Sequence, residues 1–380
     1  MVEMFNLSRE EKERANRLHK ESVVVDTLSG GPTVFSQNML KRLDKLIAKN
    51  VSTPAILDEM DRLGTQAIVE GRLREYKECW EASGVDVVSA TLGALGETPF
   101  TYENALRDIA LWTRKFDSLD WLVKATSLKD IERAKEQGKQ AVILNFQNTT
   151  HIGTDLNNLD FFYNLGVRII QLTYNMRNFV GDGCTERTDC GLSNFGVGVV
   201  KRMNELGILV DLSHCGHKTT MDAIEISTRP VAFTHAFCRE LNEHDRGKTD
   251  EEFKSLAENN GYCGIVVVPF FLAKESPSLY DFLDHLEHAI KIMGSDKVGV
   301  GTDWGAVYPE PLLARLNEEV KRIGFREEHN VDWGAVTEGF RDWRDWPNIT
   351  YGLVSRGYPD KEIKGILGGN FLRIFEEVVG

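Results

Sequence analysis

Short apolar runs alternate with longer amphipathic segments along most of this chain. Eight of these runs are rich in Val, Ile and Leu and suit strands that are buried on both faces. The segments between them are mostly of helix length, and helices are predicted over Thr101–Leu122, Ser193–Leu206 and Ser278–Met293. The predicted strands are residues 22–28, 85–94, 140–148, 167–175, 207–214, 230–236, 261–271 and 297–305.

Eight alternations of strand and helix predict an α/β protein with a (β/α)8 (TIM) barrel. An open, doubly wound sheet is the rival fold, and the lack of a dinucleotide-binding fingerprint in the sequence weakens it. Two long segments interrupt the alternation, at residues 30–84 and 305–347. We therefore expect one barrel domain over residues 1–380, with helical insertions after the first and eighth strands. The aromatic residues of the second insertion, among them Tyr308, Trp333, Trp343 and Trp346, would either shape a substrate pocket or pack on the barrel.

Charge and cysteine content narrow the function classes. The formal net charge is −13, which argues against nucleic acid or an anionic membrane as a partner because both attract basic surfaces. The six cysteines show no CxxC spacing, the charged amino terminus has no apolar signal-peptide core, and no run reaches transmembrane length. We predict a cytoplasmic protein with reduced thiols that acts on a small molecule.

Histidines lie at the ends of two neighbouring predicted strands. His214 ends residues 207–214, and His235 lies in residues 230–236, with a helix-length segment between them. Such a β-α-β unit is parallel, so both imidazoles should meet at the carboxyl edge of the sheet. Asp303, near the end of the eighth strand, is flanked by glycines that let the backbone bend sharply. Two imidazoles and a carboxylate predict a metal site or an acid–base site.

Three further polar residues are predicted to bind substrate at the same edge. Gln147 and Tyr174 lie at the ends of the third and fourth predicted strands. Arg246 follows the sixth strand and could clamp a carboxylate, because guanidinium binds carboxylates through two parallel hydrogen bonds. Taken alone, Arg246 would be an ordinary surface arginine.

The segments that hold these residues resemble the membrane (renal) dipeptidase family of the amidohydrolase superfamily. The resemblance is dense from about residue 140 onward. It implies a metal-binding (β/α)8 barrel, often dimeric, with a two-zinc centre that hydrolyses dipeptides. The segments that carry it are GLSNFGVGVVKRMNELGILVDLSH (191–214), RPVAFTHAFCRELNEHDRGKTDEEF (229–253), VGVGTDWG (298–305) and GYPDKEIKGILGGNFLRIF (357–375).

The resemblance also implies roles for individual residues. His214 and His235 match the two histidines that hold one metal in the family. Asp303 matches the aspartate at the last strand, which assists the other metal and handles protons. Arg246 matches the arginine that grips the terminal carboxylate of the dipeptide.

Other positions depart from the family pattern. Leu28 and Gly30 stand where the family has a His-x-Asp pair, Gln147 replaces a bridging glutamate, and Tyr174 replaces a histidine near the substrate. Leucine and glycine have no ligating side chain, and glutamine supplies no negative charge to bridge two cations. The sequence therefore predicts a reduced metal site, in which His214 and His235 hold one divalent metal ion. Zinc is the expected ion.

Three functions follow as hypotheses. The first is a mononuclear metal-dependent hydrolase of a dipeptide-like substrate, with Asp303 as the proton carrier and a homodimer or higher homo-oligomer as its assembly. The second is a metal-free acid–base enzyme, of the lyase or decarboxylase type, that uses Tyr174, His214, His235 and Asp303. The third is a non-catalytic binding protein on the same barrel.

Overall fold

The computed structural model describes residues 4–93 and 100–380 and contains one parallel sheet that curls into a (β/α)8 barrel. The strands follow one another in the order β1-β2-β4-β5-β6-β7-β8-β9, and β3 pairs with β4 beside this path. Each predicted strand is present, but most end several residues earlier than predicted, and the last residues of the predicted run 261–271 belong to a short helix that begins at Pro269. Ala94, predicted to end the second strand, lies outside the described residues. The strands are β1 Val25–Ser29, β2 Val87–Leu92, β3 Leu122–Lys124, β4 Gln140–Phe146, β5 Val167–Gln171, β6 Leu209–Asp211, β7 Ala232–Ala236, β8 Tyr262–Ile265 and β9 Val298–Val300.

The predicted helices are confirmed with one change at a boundary. The helix predicted over Thr101–Leu122 ends at Ser118, and Leu122 instead begins the short strand β3. The helices are α1 Arg9–Glu21, α2 Gln37–Ala48, α3 Thr53–Val69, α4 Glu75–Ser83, α5 Tyr102–Ser118, α6 Leu128–Glu136, α7 Asn157–Leu165, α8 Asn194–Leu206, α9 His217–Ile226, α10 Asp250–Glu258, α11 Pro269–Leu272, α12 Leu279–Met293, α13 Glu310–Glu319, α14 Pro347–Ser355, α15 Asp360–Lys364 and α16 Asn370–Val379. Short 3₁₀ turns cover Thr150–Ile152, Val320–Ile323, Glu327–His329 and Trp343–Asp345.

Both predicted insertions are present and largely helical. Helices α2, α3 and α4 follow β1, and α13 with three 3₁₀ turns follows β9. Leu312 and Leu316 of α13 share an apolar cluster with Met39 of α2 and Ile56 of α3, so the two insertions pack against each other. Side chains of both insertions and of several strand ends line one common cavity. The insertions thus build the walls above the barrel.

The aromatic residues of the second insertion divide into two pairs. One pair packs on the barrel, and the other lines a pocket, so each of the two alternatives holds for one pair. Trp343 and Trp346 are fully buried against the barrel. Tyr308 and Trp333 line the cavity, where Trp333 stacks on Trp304 with ring centroids 5.9 Å apart.

Asp26 joins the first strand to the last. Its carboxylate accepts hydrogen bonds from the backbone N–H and the hydroxyl of Thr302, at 2.9 and 2.6 Å. The indole N–H groups of Trp343 and Trp346 donate to the same carboxylate, each at 3.1 Å. Burial raises the pKa of Asp26 to about 6, although Thr302 and the two indoles act in the opposite direction. This network fixes the seam of the barrel next to Asp303.

We expect Asp26→Asn to lower the free energy of unfolding by about 3 kcal/mol, because an amide nitrogen cannot accept the buried hydrogen bonds that a carboxylate oxygen accepts. Urea unfolding measures this loss. Thr302→Val, which removes a single donor and nearly keeps the shape, should cost only about 1 kcal/mol. Equal stability of Asp26→Asn and the parent protein would contradict a role for this carboxylate in holding the seam.

Candidate metal and substrate site

The structure brings His214, His235 and Asp303 together at the carboxyl edge of the barrel. His235 lies in β7, whereas His214 and Asp303 each lie three residues beyond their strands, β6 and β9. One potential ligand atom from each of the three residues lies within 4.8 Å of the others. Parallel strands whose carboxyl ends share one edge produce this convergence from residues that are up to 89 positions apart in the chain.

Hydrogen bonds leave a lone pair on Nε2 of His214. The Asn175 amide nitrogen donates to the Ile323 carbonyl at 2.8 Å, which turns the Asn175 Oδ1 toward His214. His214 Nδ1 lies 2.7 Å from that oxygen and must donate to it. Because a neutral imidazole carries one proton, Nε2 is then an acceptor or a metal ligand.

His235 is oriented in the same sense by Asp211 and Thr234. The Thr234 hydroxyl donates to the Asp211 carboxylate at 2.6 Å, so its oxygen accepts from His235 Nδ1 at 2.8 Å. Asp211 also accepts from the hydroxyl and the backbone N–H of Ser213. Burial raises the pKa of Asp211, while these donors lower it. The Nε2 atom of His235 is therefore also left with a lone pair.

The two Nε2 atoms lie 3.0 Å apart and face each other. Two lone pairs at this distance repel unless a proton or a cation lies between them. Burial, with the nearby Arg246 charge, holds the pKa of both histidines well below its usual range, so a shared proton is disfavoured. The residues present thus fit a divalent cation, with Asp303 as a third donor.

Asp303 presents its carboxylate to the cavity from a left-handed backbone position. Its φ is +50°, and its N–H donates to the Leu28 carbonyl at 2.9 Å, which anchors the residue to β1. Within the described part of the chain, no residue donates a hydrogen bond to the carboxylate. Burial raises the pKa of Asp303 to about 7, against the lowering effect of Arg246. An acid with this pKa can both accept and release a proton near neutral pH.

Tyr174 and Gln147 lie where the sequence predicts them. Both line the cavity, and the Tyr174 ring stacks on His214 with centroids 4.2 Å apart. Burial raises the pKa of Tyr174, so its phenol stays protonated. Gln147 donates to the Thr91 hydroxyl at 2.9 Å. Leu28 and Gly30, where the family resemblance leads one to expect metal ligands, line the same cavity.

Arg246 is fully buried, so its interpretation as a surface arginine is wrong. One terminal nitrogen donates to the His235 carbonyl at 2.5 Å. Its other nitrogens, Nε and Nη1, have no hydrogen-bond partner in the described structure. Arg246 and His235 lie behind the cavity wall, whereas His214 and Asp303 face the cavity. A buried cation with two unpaired donors calls for an anion.

The cavity has a volume of about 290 Å³, and both apolar and polar side chains line it. The barrel contributes strand-end residues, including His214 and Asp303, to its floor. Helices α3 and α5 contribute its far wall, which includes Asp61, Asp108 and Lys115. Sequence reasoning missed this wall, and it also missed Asp211. A charged residue inside the apolar run GILVDLSH was the available signal for Asp211.

A buried ion pair supports the loop that carries His214. The Lys248 ammonium donates to the Cys215 carbonyl and the Thr220 hydroxyl, each at 2.9 Å, and pairs with Glu252 at 3.1 Å. Burial by itself raises the pKa of Glu252, but the Lys248 charge and hydrogen bonds from His217 and Thr249 bring it down to about 2. The pair therefore stabilises the fold only while Glu252 is ionised.

This pair predicts a pH-dependent stability. The pKa of Glu252 falls from 4.5 to about 2 on folding, so its contribution of about 3 kcal/mol is complete above pH 4.5 and lost as the pH falls toward 2. We expect Glu252→Gln to destabilise the protein at pH 7 and to match the parent near pH 2, as measured by unfolding over this range. Glu251→Gln, at the exposed neighbour, should change little. A Glu252→Gln defect of constant size at all pH values would contradict this assignment.

A (β/α)8 barrel whose histidines and carboxylate converge at the carboxyl ends of the strands has the architecture of a barrel enzyme site. The chain belongs to the membrane dipeptidase family (peptidase family M19), whose sequence model matches residues 12–314 and 320–379. The family expected from the sequence is thereby confirmed. Among the helices of the described residues, none is long and apolar enough to cross a membrane.

Individual relatives agree with this family. The chain is 29% identical over 251 residues to an uncharacterized dipeptidase of Schizosaccharomyces pombe, a match that covers 64% of this chain and 54% of that protein. The chain thus spans little more than half the length of this relative. An amidohydrolase of Pseudomonas aeruginosa has a similar structure, with a TM-score of 0.77, 28% identity and coverage of 96% of this chain and 99% of that one.

A second similar structure supports the fold alone. It is a metallopeptidase of Rhodobacter sphaeroides, solved with a phosphinate mimic of the dipeptide L-Ala-D-Ala. Its TM-score is 0.68 at 17% identity, with coverage of 94% of this chain and 100% of that one.

Proposed function

We propose that this protein is a metal-dependent hydrolase of a small amide or dipeptide-like substrate that carries a carboxylate. The observation that carries the proposal is the convergence of His214, His235 and Asp303 within 4.8 Å. The two facing Nε2 lone pairs favour a cation over a shared proton, and membership of a dipeptidase family favours amide hydrolysis. The dipeptidase name of the Schizosaccharomyces pombe relative supports the same chemistry.

One metal ion, zinc by preference, would be held by His214 and His235, with Asp303 as a possible third ligand. When bound, it would polarise the substrate carbonyl and activate water. A second ion of the family type lacks its ligands, because Leu28 and Gly30 have none to offer and Gln147 carries no charge. The site is therefore proposed as mononuclear.

The proton transfers fall to Asp303. In its ionised form the carboxylate takes a proton from the attacking water, and it then delivers that proton to the amine that leaves. Tyr174 and Gln147 face the same space and would orient the substrate amide through the phenol and the side-chain amide. The apolar walls would exclude bulk water from the reacting atoms.

Arg246 is proposed to bind the substrate carboxylate through its unpaired Nε and Nη1 groups. Because this arginine lies behind the cavity wall, the wall beside it must open slightly to admit the anion. We expect Arg246→Met to lower kcat/KM for a carboxylate-bearing substrate by about 100-fold, in line with the loss of a charge-assisted hydrogen bond. When the carboxylate of this substrate is converted to a carboxamide, Arg246→Met should lower kcat/KM much less. An equal loss on both substrates would point to a structural role for Arg246.

Metal analysis and a substrate panel test the proposed function together. Protein purified without added metal should carry about one transition metal per chain, and chelation should abolish turnover until zinc, manganese or nickel is restored. The panel consists of dipeptides, including some with a D-residue at the carboxyl end. Absence of bound metal together with no rescue by any of the three ions would contradict the proposal. Turnover that survives chelation would instead favour metal-free acid–base catalysis.

A further inference from the structure

The cavity holds a second group of charged side chains on its far wall, away from the proposed metal ligands. Asp61 lies on α3, and Asp108 and Lys115 lie on α5; all three line the cavity. None of them has a task in the proposed proton transfers or in metal binding. Asp61 is exposed and Lys115 is partly buried, so both charges can be reached by a ligand that enters the cavity.

Among the described residues, Lys115 has no acidic partner close enough for an ion pair. Within the described residues, no carboxylate oxygen lies within 4 Å of its ammonium, and no acceptor forms a hydrogen bond with it. The ammonium lies over the Trp112 ring, 4.0 Å from the centroid, and 5.6 Å from the centroid of Tyr76. Burial lowers the pKa of Lys115 to about 8, although Asp61 and Asp108 support the charge from farther away. The ammonium is therefore held by aromatic faces and is available to an anion.

Asp61 is equally available. Asp61 is exposed on the cavity wall, and desolvation by the neighbouring protein groups raises its pKa to about 6. No hydrogen-bond donor among the residues described by the structure reaches its carboxylate. Asp108 differs, because it accepts from the backbone N–H of Gly93 at 2.6 Å. Asp108 thus acts as a fixed counter-charge, and Asp61 remains for a ligand.

Tyr76 supplies an independent sign of a missing partner. The residue is 3% exposed and lines the cavity, and its hydroxyl has no hydrogen-bond partner in the described structure. The nearby Trp80 indole nitrogen also has no hydrogen-bond partner among the described residues. A buried hydroxyl without a partner is rare in proteins and commonly marks a position that a ligand or water completes.

One continuous space connects this group to the proposed catalytic centre. Tyr308, on the same cavity, lies within electrostatic range of both Asp61 and Asp303. Apolar side chains form much of the wall around this space, among them Met39, Leu57, Met60, Ile68 and Leu111. A ligand that spans the cavity would therefore present an apolar stem and a charged end.

We propose that Lys115, Asp61 and Tyr76 form a distal subsite for a zwitterionic α-amino-acid group at the far end of the substrate's acyl side. An α-carboxylate would pair with Lys115, and an α-ammonium would pair with Asp61. A carboxylate alone would leave Asp61 unpaired, and an amine alone would leave Lys115 unpaired. The substrate class is thus an amide formed by the side-chain carboxyl of an amino dicarboxylic acid. The assignment to the acyl side rests on the proposed hydrolase function, whereas binding of the zwitterion does not.

Calorimetric titration tests the subsite without turnover. The probes are 2-amino dicarboxylic acids of four to eight carbons, together with the analogues that lack the α-amine or the α-carboxylate. We expect at least one chain length to bind the parent protein at least 10-fold more tightly than both of its single-charge analogues. Lys115→Met and Asp61→Asn should each remove that preference, and Tyr76→Phe should reduce it several-fold. Lys129→Met and Asp117→Asn, at exposed positions on α6 and α5, are the matched controls and should keep it.

The outcomes separate this proposal from the proposed function. The same titration with Asp303→Asn protein should retain the zwitterion preference even if no hydrolysis is ever detected. Absence of a preference at every chain length, tighter binding of either single-charge analogue, or an unchanged preference in Lys115→Met would overturn the subsite. Hydrolysis of simple dipeptides by a protein that lacks the preference would leave the proposed function standing and remove the subsite alone.

Discussion

Asp303→Asn should lower kcat/KM by about 10²–10⁴-fold, the usual contribution of a positioned acid–base group. The carboxylate faces the cavity beside His214, and none of the described residues donates a hydrogen bond to it. Asparagine has nearly the same shape but can neither take a proton from water nor return it to the leaving amine. The variant should therefore fold normally while the proton-transfer steps slow.

The pH dependence of kcat/KM tests the role of Asp303 as a proton carrier most directly. Burial raises the pKa of Asp303 to about 7, and a bound cation would lower that pKa. For the parent protein, kcat/KM should rise with pH through a value at or below 7, as the carboxylate ionises and becomes a base. The rising limb should be absent in Asp303→Asn. Asp296→Asn, at an exposed carboxylate just before β9, is the matched control and should keep both rate and profile. Full turnover by Asp303→Asn would exclude the proton-carrier role.

The barrel could be predicted because its strands are buried on both faces and therefore leave unbroken apolar runs. The run GILVDLSH shows this, and its position before a helix and a second apolar run placed His214 beside His235 without any tertiary information. The strand β3 escaped prediction because it spans only three residues and pairs with β4 outside the main path of the sheet. Its first residue, Leu122, also fits the apolar pattern of the preceding amphipathic helix, so the helix was predicted to extend to it.

The far wall of the cavity could not be predicted for a different reason. Asp61 and Lys115 lie on amphipathic helices where charged residues usually face solvent, and only tertiary packing turns them toward the cavity. Burial of Arg246 likewise depends on contacts that its surface-like sequence EHDRGKTDEEF does not reveal. Sequence patterns thus located the groups at strand ends, which the barrel topology fixes, but not those that the insertions bring in.

The barrel topology also explains how the end of β1 keeps its position although Leu28 and Gly30 have no side chain that could bind a metal. Leu28 offers its carbonyl to the Asp303 N–H, and Asp26 holds Thr302 through two hydrogen bonds. The first strand therefore positions Asp303 through backbone and buried contacts rather than through a metal. Residues on the later strands are left to bind any cation, which concentrates the proposed metal site on His214 and His235.

His214→Ala/His235→Ala should weaken zinc binding on the order of 10³-fold or more, because two of the three candidate ligands disappear. Each imidazole is held in its tautomer by a separate network, through Asn175 for His214 and through Thr234 and Asp211 for His235. The loss should therefore reflect ligand removal from an otherwise ordered site. Competition against a chromophoric chelator measures the affinity of the parent and variant proteins for zinc.

Two further variants make the prediction specific to this pair. Asn175→Ala removes only the acceptor that orients His214 and should weaken binding by about 10–100-fold, as expected for an outer contact of a metal ligand. His217→Ala removes an exposed histidine outside the group formed by His214, His235 and Asp303 and should leave zinc affinity unchanged. If the His214→Ala/His235→Ala protein held zinc as tightly as this control, the cation would have to lie elsewhere. The 3.0 Å approach of the two Nε2 atoms would then require a shared proton, and acid–base chemistry without metal would become the better account of the site.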